Sequence, residues 1–403
     1  MQIPFSPPYV DDDVKKEVLE SLDSGWITTG PKVKALESEV AKYCGIENVL
    51  GVNSATSGLM LVLHWFGVGK DDEVIIPSYT YVATALVVMH LGAKPVMVDV
   101  EDDFNISVSN IEKAITSKTK AIIPVDFAGW PCNYDAIFSL INRPNIKSLF
   151  EAKTNIQKDL GRIFILSDAA HSFGATYKNK QVGSLADVTV LSFHAVKNLT
   201  TAEGGGICIT MPKPFNNTEI YSTLRLWSLN GQTKDAFSKT KIGGWKYDIV
   251  YPGFKMNMPD ICAAIGLAQI RKYGPSILNE RKRVYLYYKA NFDNTKWAIT
   301  PPYESLEIES SYHLYPLRIK GITEEQRDKI IDIISHAGVA VNVHFIPLPM
   351  LSIFKERNFK IENFPMAYQN FKVEISLPIY PQLNEELCQQ IVSTVIQAVK
   401  EFI

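Results

Sequence analysis

The run Leu191-Ser192-Phe193-His194-Ala195-Val196-Lys197-Asn198-Leu199-Thr200-Thr201-Ala202-Glu203-Gly204-Gly205-Gly206 decides how the rest of the chain is read. Just before it, Val188-Thr189-Val190-Leu191 is a short apolar, β-branched run of the kind that forms a buried strand. Just after it, Ile207-Cys208-Ile209 reads as a second strand. Between the two lie a hydroxyl (Ser192), a single lysine (Lys197) and a glycine triplet. Glycine lets a backbone or a ligand come close, and lysine between buried strands is not ordinary surface placement. On its own the segment is equally compatible with a solvated loop lysine.

A second segment shifts that balance. Ile163-Phe164-Ile165-Leu166 is an apolar run that delivers Ser167-Asp168-Ala169-Ala170-His171 at its carboxyl end. Ligands of open α/β sheets sit beyond the carboxyl ends of the strands. An acid there, followed by small residues and a histidine, suits a planar heteroaromatic ligand with a basic ring nitrogen. Together Asp168-Ala169-Ala170-His171 and Ser192-Phe193-His194-x-x-Lys197-Asn198 resemble the fold-type I enzymes that use pyridoxal 5'-phosphate. Within them they resemble the DegT-type sugar aminotransferases, along nearly the whole chain. The resemblance implies an α/β fold with a large domain, residues 1–278 including an N-terminal arm, whose mostly parallel mixed sheet lies between helices. A smaller C-terminal α+β domain, residues 279–403, completes it.

Size and composition agree with an ordinary globular chain. It has 403 residues, 46% hydrophobic and 21% charged, and a net charge of −2. No basic field argues for nucleic acid or an anionic membrane. Cys44, Cys132, Cys208, Cys262 and Cys388 are scattered, odd in number and without CxxC spacing, which argues for a reducing compartment and against structural zinc. The opening Met1-Gln2-Ile3-Pro4-Phe5-Ser6-Pro7-Pro8 has neither the basic nor the apolar region of a signal peptide. The apolar run around Val82 to Leu91 falls short of the ~20 residues of a membrane span. A cytoplasmic enzyme is expected, so sequons at Asn105, Asn198 and Asn216 carry little meaning.

In chain order, a Pro-rich arm and a charged helix from Asp11 to Leu22 precede the loop Ser24-Gly25-Trp26-Ile27-Thr28-Thr29-Gly30-Pro31. Read as structure this is an interhelical turn; the resemblance carries a place near the substrate to Thr28 and Thr29. A helix over Lys32–Tyr43 and a strand over Val49–Asn53 follow. Ser54 is a natural N-cap for a helix with apolar Leu59, Val62, Leu63 and Phe66, and the free N–H groups of a first turn bind phosphate. The resemblance carries that role to Ala55 and Thr56. After a strand over Glu73–Ile76, Pro77-Ser78-Tyr79-Thr80-Tyr81-Val82-Ala83-Thr84 places two tyrosines at a corner. The family's ring-stacking aromatic falls on Tyr81.

Strands at Pro95–Val98 and Ala121–Val125 then alternate with helices at Val108–Ile115 and Asn133–Ile141, as in a parallel sheet with helices on both faces. Arg143 to Leu160 is polar and weakly patterned and reads as a surface insertion, longer than the family usually shows. A helix over Glu219–Leu229 leads into a Gly-, Lys- and Trp-rich loop, Gly231–Tyr251. Many relatives carry Gly-x-Asn-x-Arg before the next helix, Ile261–Tyr273, the asparagine reaching the neighbouring subunit's cofactor phosphate. Here Lys255 and Asn257 stand instead, a departure from that pattern; because family members use this segment across an interface, the resemblance implies a homodimer, with lysine able to meet a phosphate as a point charge.

Beyond Asn279 come a strand over Tyr312–Lys320, a capping box at Thr323-Glu324-Glu325-Gln326 opening a helix closed by Gly338, and a strand over Val339–Ile346 carrying His344. Ser376-Leu377-Pro378-Ile379-Tyr380-Pro381 precedes a final helix from about Asn384. The family's second histidine after Pro-Leu is Pro349 here, and His344 is the remaining substrate-side candidate.

The cofactor needs an amine for a Schiff base, an anion at its ring nitrogen, a ring face and phosphate donors. The resemblance assigns these to Lys197, Asp168, Tyr81, and Ala55, Thr56 and Ser192, with His171 at the ring's phenolic oxygen. Free lysine, with a pKa of ~10.4, needs burial or imine formation to act as a base near neutrality. The implied reaction is ping-pong transamination from glutamate to a nucleotide-linked keto-6-deoxyhexose, as in polysaccharide and O-antigen building, at C4 rather than C3. Amination at C3 of a 3-keto sugar and a non-catalytic sensor on the same fold remain the alternatives. No G-x-G-x-x-G or P-loop pattern supports a dinucleotide or nucleoside-triphosphate enzyme.

Overall fold

The computed structural model describes residues 2–234 and 246–403. Residues 235–245, inside the loop expected over Gly231–Tyr251, lie outside the described residues.

The large sheet is built from β1 (Asn48–Val52), β2 (Glu73–Pro77), β3 (Lys94–Val98), β4 (Thr119–Ile122) and β5 (Phe164–Ala169). A two-residue-per-strand hairpin, β6 (Thr176–Tyr177) and β7 (Lys180–Gln181), stands apart from it, and β8 (Val188–Ser192) and β9 (Gly205–Ile209) complete it. The seven strands are ordered β1-β9-β8-β5-β4-β2-β3. The run β8-β5-β4-β2-β3 is parallel throughout, whereas β9 pairs antiparallel with both β8 and β1. Strand β5 is buried along its whole length, as its unbroken Phe-Ile-Leu run requires of a strand covered on both faces.

Helices α1 (Asp12–Asp23), α2 (Pro31–Cys44), α3 (Ala55–Phe66) and α4 (Ala83–His90) cover the N-terminal half. Asp11 caps α1, accepting from Val14 N–H at 3.1 Å, and Ser54 caps α3, accepting from Ser57 N–H at 3.1 Å. Each cap satisfies a first-turn donor that has no partner within the helix. Leu59, Val62, Leu63 and Phe66 of α3 are buried against Val190 of β8 and Ile207 of β9 in the main core.

The Arg143–Leu160 stretch is more tightly built than its polar composition suggests. It folds into two short helices, Pro144–Lys147 and Asn155–Leu160. Gln157 is fully buried, and its Nε2 donates to the carbonyls of Phe66 at 3.1 Å and Gly67 at 3.3 Å, at the open carbonyl end of α3. The segment is polar because its work is capping, not because it is loose.

A second sheet, β10 (Ala298–Ile299), β12 (Tyr315–Ile319) and β13 (Glu374–Leu377), is antiparallel in the order β10-β12-β13, and β11 (Ile308–Glu309) instead extends the β6–β7 hairpin. The capping box at Thr323 and Gln326 forms as read, and the helix it opens, Glu324–His336, is followed by Gly338 in the left-handed region. The strand expected over Val339–Ile346 is not present. The segment makes only single bridges, Val339 with Ile3 and Asn342 with Ser376, because its backbone groups are shared between two different neighbours. We propose the domain boundary near Asn279, with two exchanges across it: Ile3 packs in the C-terminal core, while Leu348, Phe354, Phe364 and Phe371 pack in the core of the large sheet.

Candidate active site

A cavity of about 460 Å³ opens beyond the carboxyl ends of β5 and β8, a volume suited to a cofactor or small ligand. Strand β5 carries Asp168 to its floor. Asp168 Oδ2 accepts from Thr84 Oγ1 at 2.8 Å, and Oδ1 accepts from Ala170 N–H at 3.3 Å. Burial raises the pKa of this carboxyl, while those two hydrogen bonds and the charge of Lys197 pull the other way. Thr84, in the first turn of α4, therefore holds the carboxylate in one orientation.

Lys197 stands in the tight turn between β8 and β9, closed by its own N–H donating to His194 O at 2.9 Å. Its amine makes no hydrogen bond or ion pair among the described residues. Burial pushes its pKa down to about 8, against the pull of Asp168. The two groups feel each other's charge without a hydrogen bond or ion pair between them, and both line the same cavity.

His171 lies on the same wall. Its Nδ1 accepts from Ala128 N–H at 3.3 Å, so the neutral ring carries its proton on Nε2. Burial, reinforced by Lys197, holds its pKa well below the usual value. Phe345 stacks on it at 5.7 Å and His313 packs beside it at 4.5 Å. His313 is tied through Nδ1 to Asn198 Oδ1 at 2.9 Å, so the residue next to Lys197 is anchored to the histidine wall.

At the other end of the cavity lies the N-terminus of α3. Ala55 and Thr56 line it, and their N–H groups have no partner among the described residues. With the helix dipole they form an anion cradle. Gly205 makes this possible: a Cβ there would stand 2.7 Å from Ala55 N and 2.8 Å from Leu191 O. Ser192 adds its hydroxyl at the cavity wall and Tyr81 stands at the mouth, 61% exposed, with its ring 5.9 Å from that of Phe345. His344 also faces the cavity, stacked on Phe5 at 5.4 Å.

Four residues expected near the ligand do not line this cavity: Thr28, Thr29, Lys255 and Asn257. Thr28 and Lys255 are exposed. Thr29 is buried, its Oγ1 donating to Met258 O and accepting from Asn257 Nδ2, both at 2.6 Å. The two segments are thus bound to each other, outside the pocket of their own chain. Conversely, Thr84, His313, Phe345 and Ala128 take places that the sequence reading left unassigned. Thr84 and His313 sit inside runs quoted above for other reasons; Ala128 acts through its backbone, with φ of 57°, and no side-chain pattern could have marked it.

A buried amine and a buried carboxylate, a neutral histidine beside them and an anion cradle in the same cavity match pyridoxal phosphate group for group, and the cradle exists because Gly205 lacks a Cβ. On this sheet, that site defines a fold-type I, pyridoxal-phosphate-dependent transferase. The chain belongs to the DegT/DnrJ/EryC1/StrS aminotransferase family, which it matches over residues 8–396. Spr1654 from Streptococcus pneumoniae, named as a sugar aminotransferase, superposes in its PMP form with a TM-score of 0.95 at 43% identity, covering 100% of both chains. Its PLP form gives 0.95 at 42% identity, again over 100% of both chains. The spore coat polysaccharide biosynthesis protein SpsC of Bacillus subtilis is 33% identical over 405 residues, 99% of this chain and 97% of SpsC. PseC of Helicobacter pylori, an aminotransferase involved in the biosynthesis of pseudoaminic acid, gives a TM-score of 0.86 at 28% identity over 100% of both chains. This chain is accordingly a sugar aminotransferase that uses pyridoxal phosphate.

Proposed function

We propose that the enzyme takes its amino group from glutamate and passes it to C4 of a nucleotide-linked keto-6-deoxyhexose in polysaccharide building. The observation that carries this reading is the unpaired Lys197 amine facing Asp168 across an open cavity, in a chain of the sugar aminotransferase family. Pyridoxal phosphate, when bound, supplies the electron sink for the carbanion formed at the amine-bearing carbon. Asp168 holds a proton on the ring nitrogen by its opposite charge. Lys197 Nζ, once freed, takes a proton from the substrate carbon and returns it, which the lowered pKa makes feasible near neutrality. His171 Nε2–H would donate to the ring's oxygen, and the Ala55 and Thr56 N–H groups with Ser192 would hold the phosphate. Tyr81 would offer its aromatic face to the ring.

The working unit is proposed to be a cytoplasmic homodimer. In support, Thr29 is hydrogen-bonded to Asn257 and to Met258 O outside their own cavity, with the exposed Thr28 and Lys255 beside them in the chain, an arrangement suited to groups that serve a neighbouring subunit. The five cysteines are free, as in a reducing compartment. Among the described residues no helix is long and apolar enough to cross a membrane.

One experiment tests the whole reading. Purified holoenzyme is mixed with glutamate and the cofactor absorbance followed, and a panel of nucleotide-linked 4-keto and 3-keto sugars is then offered with product regiochemistry read by NMR. A glutamate-dependent spectral change and a C4-aminated product are expected. A C3-aminated product, or no spectral change with glutamate, overturns the corresponding part.

A further inference from the structure

His344 reaches the cavity on the end of a hydrogen-bonded chain that begins at a buried carboxyl. Glu374 and Ser376 are both fully buried on β13, two residues apart and so on one face of the strand. Ser376 Oγ makes a short hydrogen bond to Glu374 Oε1 and a second, at 3.0 Å, to His344 Nδ1. The geometry is pinned from several sides. His344 N–H donates to Glu374 Oε2 at 3.1 Å, its carbonyl accepts from Tyr79 OH at 2.7 Å, and Asn342 bridges to the backbone of Ser376. His344 Nε2 has no hydrogen-bond partner among the described residues, and the ring lines the cavity.

We propose that Glu374, Ser376 and His344 form a relay that decides whether His344 Nε2 offers the sugar a hydrogen-bond donor or an acceptor, which makes Glu374 and Ser376 positioning residues. A serine hydroxyl has one proton, so it can donate to only one of its two neighbours. When Glu374 is ionised, Ser376 donates to it and must accept from His344 Nδ1–H, leaving a lone pair on Nε2. When Glu374 is protonated, it donates to Ser376, Ser376 donates to Nδ1, and Nε2 carries the proton. One proton on the glutamic acid thus reverses the polarity of the cavity wall without charging the imidazole. The ring itself stays neutral, because burial and the nearby Lys197 press its pKa down to about 3.

The groups that face Glu374 set where the reversal falls. Burial raises its pKa to about 8; the Ser376 and His344 N–H bonds oppose this, as do Arg327 on the helix Glu324–His336 and Arg318 on β12. Both arginines also have acidic partners, Arg327 with Asp328 and Arg318 with Asp102, each at 2.7 Å. Tyr79 packs nearby as a neutral phenol. Nε2 is therefore a donor on the acid side of that range and an acceptor on the alkaline side.

The sugar clause rests on the proposed function; the relay does not. Holoenzyme labelled with 15N-histidine would be followed by long-range 15N–1H NMR from mildly acid to alkaline pH, with His344 assigned by its loss in His344→Phe. The expected result is a proton on Nε2 at low pH that moves to Nδ1 at high pH. Glu374→Gln, whose amide can still donate to Ser376, keeps the proton on Nε2 throughout, and Ser376→Ala removes the pH dependence. A His344 tautomer that is the same in wild type and Glu374→Gln at every pH overturns the relay. For whichever keto sugar of the panel is turned over, Ser376→Ala raises KM about tenfold, the worth of one well-placed hydrogen bond, rather than lowering kcat. An unchanged KM overturns the sugar clause. If wild type fails with glutamate or with every sugar, the proposed function falls, while the NMR result still decides the relay.

Discussion

The floor and the rim of this cavity are built on different principles. On the floor, Asp168 stands near the end of the paired, buried strand β5, the Ala55 and Thr56 N–H groups open α3, and Lys197 is fixed in the connection after β8 by its N–H bond to His194 O and by its neighbour Asn198, which is tied to His313. On the rim, Tyr81, His344 and Phe345 lie in connections between elements, held by individual hydrogen bonds and ring contacts. A group at the end of a paired strand moves only if the sheet moves. A group in a connection moves when one contact changes. The carboxylate and the anion cradle therefore sit on the rigid part, and we propose that the groups that discriminate among sugars sit where few contacts need to change.

The largest effect expected on this contrast is at Lys197. Lys197→Ala removes both the nucleophile and the proton carrier, so the glutamate half-reaction should fall by more than about 10⁴-fold. Its circular dichroism should be unaltered, since the amine has no partner to lose. Asp168→Asn comes next, with a loss of roughly 10- to 10³-fold, matching about 1–3 pKa units of lost ring-nitrogen stabilisation. Here the sign on stability is opposite to that on activity. Burial holds the folded pKa of Asp168 above its unfolded value, so its stabilising contribution is complete below the unfolded pKa and is lost as pH rises through the folded one. At neutral pH the apo Asn variant should melt no lower than apo wild type. A lower melting temperature would show that the carboxylate is structural rather than functional.

Capture of the cofactor needs the neutral amine, and this gives the floor a pH signature. With the Lys197 pKa near 8, the rate at which apoenzyme takes up pyridoxal phosphate should climb about tenfold per pH unit up to that point and then level. A rate still climbing toward the ordinary lysine value would mean that the amine is solvated in the apo state.

Gly205 tests whether the floor is as rigid as its elements imply. In Gly205→Ala the new Cβ meets Ala55 N at 2.7 Å and Leu191 O at 2.8 Å, both backbone atoms. The variant should lose about 1–3 kcal/mol in urea unfolding, as overpacked cores do, and should bind the cofactor more weakly. Gly206→Ala is the control, because its Cβ would meet only side-chain atoms among its nearest neighbours, the Phe193 ring at 3.2 Å and Val49 Cγ1 at 3.5 Å, and it should be milder on both counts.

The same contrast explains what could be read from the residues alone. Asp168 and Lys197 were legible because they follow unbroken apolar runs whose period and length admit little besides a buried strand. The N-terminus of α3 was legible through Ser54, a side chain with a specific local hydrogen bond to make. Val339–Ile346 was misread as a strand, since its apolar residues mimic strand alternation while its backbone serves Ile3 on one side and Ser376 on the other. Gln157 was read as surface for the same kind of reason: its partners, the carbonyls of Phe66 and Gly67, lie about ninety positions away in the chain. The antiparallel run of β9 was equally hidden, because a strand's direction depends on what it pairs with and leaves no mark on its own composition.

The smallest effect should appear at Tyr81, and it tests the rim directly. The ring is 61% exposed and contacts Phe345 only in a tilted arrangement, so the fold gains little from it. If it closes over the cofactor, Tyr81→Ala should weaken pyridoxal phosphate binding about two- to tenfold, the worth of one aromatic contact of roughly 0.5–1.5 kcal/mol. The melting temperature of the apoenzyme should not change. Tyr81→Phe should bind as wild type does, because the ring face rather than the hydroxyl makes the contact. Equal cofactor affinity in wild type and Tyr81→Ala would remove Tyr81 from the ring face. A loss shared by Ala and Phe would instead assign the tyrosine hydroxyl a polar contact, and the rim would then hold the cofactor by a directed bond, as the floor does.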